Sequence, residues 1–396
     1  MKILIGVATY YPCVDGVQNV TQYQAEGLVK LGHEVTIITS YYIGKSTLAK
    51  KEIHNGVTIL RIDANKEWMI NFGDKRGYQS LLKKYTSKID VLINVCPTSW
   101  NGAWTLPIVQ QLPCAKMMMV HGIHDFRWRN FHDKSLYGIA RKIWGDIRWP
   151  FFFACNWENI KQYDAVAHLH EEDFAAQYFK KHGVEKEEIL YNAVDDAFFE
   201  KENQKQNQII NVGTYARGKN QIACLTAFYQ ADLPEWKLIL IGSSKSKYYE
   251  KVVRQQQALE KKYGHREVDI LVGVSREETI NLVRKSKIYL LTSISEIFPV
   301  SLVEGMAAGC AWISSDVGIV RYLPGGQVCD GPLKMAKALE ELAKGEAWEW
   351  KGQQGKKFAE ENCGKETQVK RLEEILQQAI QQHAEETLRQ SNLGGK

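Results

Sequence analysis

Short apolar, β-branched runs alternate with longer amphipathic stretches along most of the chain, and the rhythm is played through twice. The first half carries KILIGVATYY, EVTIITSYY, VTILRI, VLINV, AKMMMVHG and AVAHLH. The second carries QIINVGTYA, WKLILIGS, VDILVG, IYLLTS and AWISSD, with helical periodicity between them, as over 276–287. Continuous apolar runs are what strands buried on both faces look like, and each crossover between parallel strands has to be filled by a helix. The expected fold class is therefore α/β, with two doubly wound, Rossmann-like halves.

A length of 396 residues accommodates two such domains, each with its own core. The polar stretch KENQKQNQ, Lys201 to Gln208, reads as the linker. The expected boundaries are 1–195 for the first domain and 196–365 for the second. A terminal segment, 366–396, carries Val369, Leu372, Ile375, Leu376 and Ile380 at helical spacing and is expected to fray in its polar end, SNLGGK. In open α/β sheets ligands bind beyond the carboxyl ends of the strands, so two such domains facing one another would form a cleft for a substrate with two polar ends.

The charge balance, 51 basic against 46 acidic residues, is too even to call for nucleic acid but leaves room for an anionic ligand. Met1 and Lys2 lead straight into a strand-like run without the apolar core of a signal peptide, which predicts a cytoplasmic protein. The most apolar run, Trp149 to Cys155, is far shorter than a spanning helix. Eight cysteines form no CxxC pair and no metal-knuckle spacing, so free, reduced thiols are expected.

The segment 292–309, TSISEIFPVSLVEGMAAG, places Glu296 in the loop after a strand and Glu304 in the first turn of a short helix. Carboxylates there can accept hydrogen bonds from sugar or ribose hydroxyls, while the helix amino terminus offers backbone donors to phosphate. Ser301 and Glu304 also form the S-x-x-E pattern of a capping box, a purely structural role for Glu304 that leaves Glu296 unexplained. A second segment, INVGTYARGKNQ at 210–221, ends a strand at Gly213 and follows it with Arg217 and Lys219. Cations there can neutralise a departing diphosphate, although an isolated basic turn is equally a solvated surface feature.

Residues 10–39 read as strand, loop with Gly16, amphipathic helix and strand, a weak signal that also fits a simple turn. In MMMVHGIHD, residues 117–125, His121 follows a strand and can hydrogen-bond a sugar hydroxyl; His124 and Asp125 are weaker candidates. His168 and His170 have no assigned role.

Together these segments resemble the retaining glycosyltransferase family 4 over nearly the whole chain. Glu296, Phe298, Pro299, Glu304, Met306, Ala307 and Gly309 match its EGFPxxxxEAMAxG pattern, and Lys219 matches the lysine of VGRxxxxKG. Ile297, Gly305, Thr214 and Asp15 depart from the family's residues at their positions. The resemblance implies the GT-B fold and a donor that is a nucleotide diphosphate sugar of the UDP or GDP type. It implies that Glu304 binds the donor ribose, and that Glu296 and His121 lie at the transferred sugar as catalytic residues. Backbone around Phe298 and Val300 would bind the donor, Arg217 and Lys219 its diphosphate, and Gly16 would underlie the phosphate. No cofactor is implied. The missing Asp-x-Asp pair argues for transfer without a metal ion. The acceptor would be a glycan or a lipid-linked sugar, as in bacterial surface polysaccharide or lipopolysaccharide synthesis.

Between Arg127 and Trp149 six cations outnumber two carboxylates, with Trp128, Trp144 and Trp149 interleaved. This composition fits peripheral contact with the inner face of an anionic membrane, and fits equally a solvated helix with its aromatic side in the core. Two other functions remain open: a nucleotide-sugar epimerase on the same fold, and a noncatalytic nucleotide-sugar-binding protein. RNA binding ranks last, because no RNA-binding motif accompanies the basic residues.

Overall fold

A computed structural model describes residues 1–394 except 14, 44–45, 68, 129–134 and 201–203. The chain divides into two compact units. The first comprises 1–126, 133–191 and 365–396; the second comprises 127–132 and 192–364.

The sheet of the first unit contains β1 (Lys2–Gly6), β2 (Glu34–Ser40), β3 (Lys51–His54), β4 (Val57–Ile62), β5 (Val91–Val95), β6 (Ala115–Val120), β7 (Ala165–His168) and β8 (Glu187–Ile189). Their spatial order is β8-β7-β6-β5-β1-β2-β4-β3, parallel throughout except for the edge strand β3. Side chains alternate between two cores: Ile3 and Ile5 face one, Leu4 the other. Both faces being covered is why these strands read as unbroken apolar runs.

The helix Lys365–Gly394 belongs to this first unit, where Val369, Leu372, Ile375 and Leu376 enter the core built on β1 and β2. Each such burial is worth roughly 1.5–3 kcal/mol. The fit is close, since a Cβ added to Gly27 would lie 2.5 Å from Val369 Cγ2. The tail expected to fray is helical through Gly394.

The second unit holds β9 (Gln206–Val212), β10 (Lys237–Gly242), β11 (Glu267–Val272), β12 (Ser286–Leu291), β13 (Ala311–Ser314) and β14 (Gly326–Val328). All pair in parallel, in the order β11-β10-β9-β12-β13-β14. This is the doubly wound order, with its topological switch point between β9 and β12.

The expected linker needs correcting. Residues 201–203 lie outside the described residues, but Lys205 Nζ donates to the carbonyls of Arg284 (3.0 Å) and Ser286 (2.6 Å), and Gln206 already begins β9. The unit changes instead after Tyr191 and again after Gly364, where Val194 N donates to Cys363 O at 2.8 Å.

Candidate active site

The two central strands of the second sheet end in loops that carry the charged residues singled out in the sequence. β9 leads into Gly213–Asn220 and β12 into Thr292–Pro299. Strands adjacent at a switch point send their crossovers to opposite faces, so the two loops lie side by side with space beyond them. Hydrogen bonds stitch them together. Ile294 N donates to Gly218 O at 2.8 Å, and Thr292 Oγ1 donates to the carbonyls of Lys219 (3.2 Å) and Asn220 (3.0 Å). Asn220 turns the first loop into its helix, Gln221–Gln230, from a left-handed conformation at φ 52°.

This stitching brings Lys219 Nζ to 2.6 Å from Glu296 Oε1, with 33% of the lysine side chain and 14% of the glutamate side chain exposed. A contact this short is a charge-assisted hydrogen bond, and the lysine remains within reach of solvent. The loop bearing Glu296 is backed by Gly318. Ile319 N donates to Ile297 O at 3.2 Å, and a Cβ on Gly318 would lie 2.2 Å from that oxygen. Gly318 has φ +52°, whereas Ile297 has no positive φ and its side chain is exposed. The conformational freedom that a family glycine would supply at Ile297 is thus not used there; the close approach falls on Gly318 opposite.

Glu304 lies within the helix Val300–Ala307, buried, with its Oε1 accepting from Arg276 Nη2 at 2.6 Å. The Arg276 guanidinium also stacks over the buried ring of Phe198, 4.9 Å from its centroid. Arg276 escaped the sequence analysis. It opens the helix Arg276–Lys285 ahead of Glu277 and Glu278. A cation there opposes the helix dipole, which was the available signal that it serves something else.

The capping box is a correction: the helix starts from Pro299 as N-cap with no side-chain capping bond, and Ser301 instead bears on the hydroxyl of the buried Tyr289. Gly305, a departure from the family pattern, is explained by the same tyrosine, since a Cβ there would lie 2.6 Å from Tyr289 Cδ2. Val300 and Ser301 head the helix, where backbone N–H groups lack intrahelical acceptors. Phe298 is buried just before it. Arg217 is exposed on the same loop as Lys219, and its charge bears on the Tyr248 hydroxyl.

In the first unit, Gly16 opens the helix Gly16–Lys30, and a Cβ there would meet none of the described residues within 4 Å. Asp15 is the N-cap: its Oδ1 accepts from Gln18 N at 2.8 Å, while Thr9 Oγ1 donates to Oδ2 at 2.6 Å. His121 follows β6 directly. Its Nε2 is shut off from solvent without a hydrogen-bond partner among the described residues, although the residue as a whole is only partly buried, and burial pushes its pKa down to about 4. His124 is structural, with Nε2 2.8 Å from Asp146 Oδ1. His168 is buried with Nε2 3.4 Å from Glu187 Oε1, and His170 Nδ1 accepts from Glu172 N at 3.0 Å.

Comparisons with known proteins agree with this architecture. The family description Glycosyltransferase Family 4 matches residues 14–198, and Glycosyl transferases group 1 matches 194–344. The chain is 23% identical to a phosphatidylinositol N-acetylglucosaminyltransferase subunit of Arabidopsis thaliana, covering 86% of this chain and 74% of that one. Among solved structures it is similar to sucrose-phosphate synthase of Thermosynechococcus elongatus, with TM-score 0.70 at 15% identity over 95% of this chain and 98% of that one. It is also similar to the Anabaena protein HepE solved with UDP and glucose, with TM-score 0.65 at 13% identity over 95% and 99% of the two chains. The two family matches overlap at 194–198 and together span 14–344, one falling on each doubly wound sheet, and the chain belongs to the family 4 glycosyltransferases of GT-B fold.

Proposed function

We propose that the protein transfers a sugar from a nucleotide diphosphate sugar to a glycan or lipid-linked acceptor with retention at the anomeric carbon. The observation that carries this reading is the Lys219–Glu296 pair at the switch point, beside the helix headed by Val300. A diphosphate arriving there draws Lys219 toward its oxygens, with Arg217 on the same loop and the helix dipole adding positive potential. Glu296 then turns its carboxylate to hydroxyls of the transferred sugar. Glu304, held by Arg276, accepts from the ribose. The family pattern assigns Gly16 to the donor phosphate and His121 to the transferred sugar. Gly16 fits that role because the described residues leave the position open, and His121 because its Nε2 has no hydrogen-bond partner among the described residues.

In the transfer step the bond from the anomeric carbon to the diphosphate oxygen breaks as the acceptor oxygen bonds on the same face. The acceptor's proton passes to the departing phosphate oxygen, giving glycoside and nucleoside diphosphate. Charge on the leaving group is met by Lys219, Arg217 and backbone donors, so no divalent ion is assigned. All eight thiols are free, which supports a reducing, cytoplasmic setting. A lipid-linked acceptor is favoured because the Arabidopsis relative is named for phosphatidylinositol.

The test is calorimetric titration with UDP, GDP and their sugars against wild type, Glu304→Ala and Lys219→Ala. Selective binding to wild type that both substitutions weaken supports the donor site. Binding of no nucleotide, or binding indifferent to both substitutions, sinks it. Release of nucleoside diphosphate only when acceptor is present separates transfer from epimerisation and from simple binding.

A further inference from the structure

The helix Leu136–Ala154 turns an apolar side to solvent. Leu136 is 89% exposed, Trp144 46%, Ile147 64% and Phe151 72%, while Phe153 and Trp149 pack inward. A second element continues this surface: the hairpin of Ala64–Glu67 and Ile70–Gly73 exposes Ile70 and Phe72. A groove lined by Ile70, Tyr137, Arg141 and Trp144 joins hairpin to helix. Apolar exposure of this kind, contributed by two elements, is more than scattered surface residues and marks a contact face.

The charges on the helix are mainly basic, while the hairpin carries Lys66 beside the exposed Glu67. The helix carries a single carboxylate, Asp146, which is held by Lys142 and by His124. Arg141 is exposed on the apolar side. Lys66 and Arg148 lie over the Trp149 ring, 5.2 and 5.3 Å from its centroid. Of the residues expected to make a basic, aromatic stretch, Arg129, Asp133 and Lys134 lie outside the described residues, and Trp149 serves the core rather than the surface.

From this arrangement we infer that the face docks onto an anionic bilayer, with the helix lying in the interface. Leu136, Ile147 and Phe151 would enter the acyl boundary, Trp144 and Tyr137 would sit at headgroup level, and Arg141 would reach the phosphates. No described helix is long and apolar enough to cross a membrane, so the contact is peripheral. A second copy of the chain fits less well, because two-fold pairing of the same patch sets cation against cation. The inference deepens the proposed transfer to a lipid-linked acceptor and rests on that reading for its purpose, but not for its test.

The test is co-sedimentation of the full chain with vesicles of phosphatidylcholine alone or mixed with phosphatidylglycerol, at low salt. Wild type should pellet with the mixed vesicles and release as salt is raised. Ile147→Ser with Phe151→Ser should weaken partitioning at least about tenfold, as loss of two buried apolar side chains requires. Arg141→Glu should weaken it selectively for the anionic vesicles. Nucleotide titration of the same variants should be unchanged, so failure here is distinguishable from failure of the donor site. Wild type that pellets with neither vesicle, or variants that pellet like wild type, overturn the inference. So does a wild-type dimer in sedimentation equilibrium that Ile147→Ser with Phe151→Ser dissociates.

Discussion

Lys219 and Glu296 meet at 2.6 Å although they lie on loops that follow two different strands, because those strands are neighbours where the sheet reverses its order. In the proposed function a ligand with its own phosphates and hydroxyls divides the two charges, Lys219 going to phosphate and Glu296 to the sugar. That proposal has measurable consequences.

Lys219→Met should weaken nucleoside diphosphate binding by roughly ten- to a hundredfold, since one hydrogen bond to a charged group is worth about 1.5–3 kcal/mol. Glu296→Gln should leave that binding nearly intact and lower turnover instead. Titration with nucleotide and steady-state kinetics of both variants check this. Equal loss of nucleotide affinity in the two would show that the residues do not divide the donor between them.

Arg276→Ala removes the cation from a buried carboxylate. The substitution should cost about 1–2 kcal/mol, discounted because the guanidinium is half exposed, and should reduce donor affinity in step. In a Glu304→Gln background the same substitution should cost little. A double-mutant cycle by urea unfolding measures this coupling, and additivity of the two single changes would refute it.

Gly318→Ala places a Cβ against Ile297 O and keeps a left-handed backbone, so either the glycine segment or the Glu296 loop has to shift. A loss of about 1–3 kcal/mol in stability is expected. Turnover should fall by up to about a hundredfold, as when a reacting group is displaced by an ångström. Unfolding curves and kinetics together separate the two effects. Unchanged turnover would mean that the backing of the loop does not position Glu296.

His121 gives a pH dependence with a definite sign. Its folded pKa of about 4 lies below the ordinary value of 6.5, so between these limits the unfolded chain binds a proton that the folded chain does not. The stability associated with its neutral form is therefore complete above about pH 6.5 and declines on acidification, by up to about 1.4 kcal/mol per pH unit. His121→Gln should show a shallower decline in urea unfolding between about pH 7 and pH 5. Identical slopes would show that the ring titrates normally.

The interior strands were legible because Ile3 to Gly6, Val91 to Val95 and Ile288 to Leu291 are buried on both faces and have no polar alternation to confuse them. Edge strands were not, apart from Glu267–Val272, whose run VDILVG was read. Lys51–His54 is largely exposed and carries the composition of a loop. Its turn, Asn55-Gly56, was nonetheless a readable hairpin signal, with both residues at positive φ, 49° and 80°. KENQKQNQ misled because polarity was equated with a linker, whereas Lys205 spends its charge on two carbonyls of the neighbouring strand and helix end. At the site, Lys219 and Glu296 stood out because each follows a strand of the same sheet. Arg276 belongs to another crossover, so only the folded chain brings it to Glu304.

The helix Lys365–Gly394 has a consequence for how the chain comes into being. The first unit lacks one wall of its core until this helix is made, and by then all of the second unit's long segment, continuous from Asn192 to Gly364, has already been synthesised. On the ribosome the amino-terminal sheet therefore waits with the surface meant for Val369, Leu372, Ile375 and Leu376 uncovered, while the later-made unit is complete and free to fold. Order of birth and order of completion are reversed: the half that emerges first is the half that closes last.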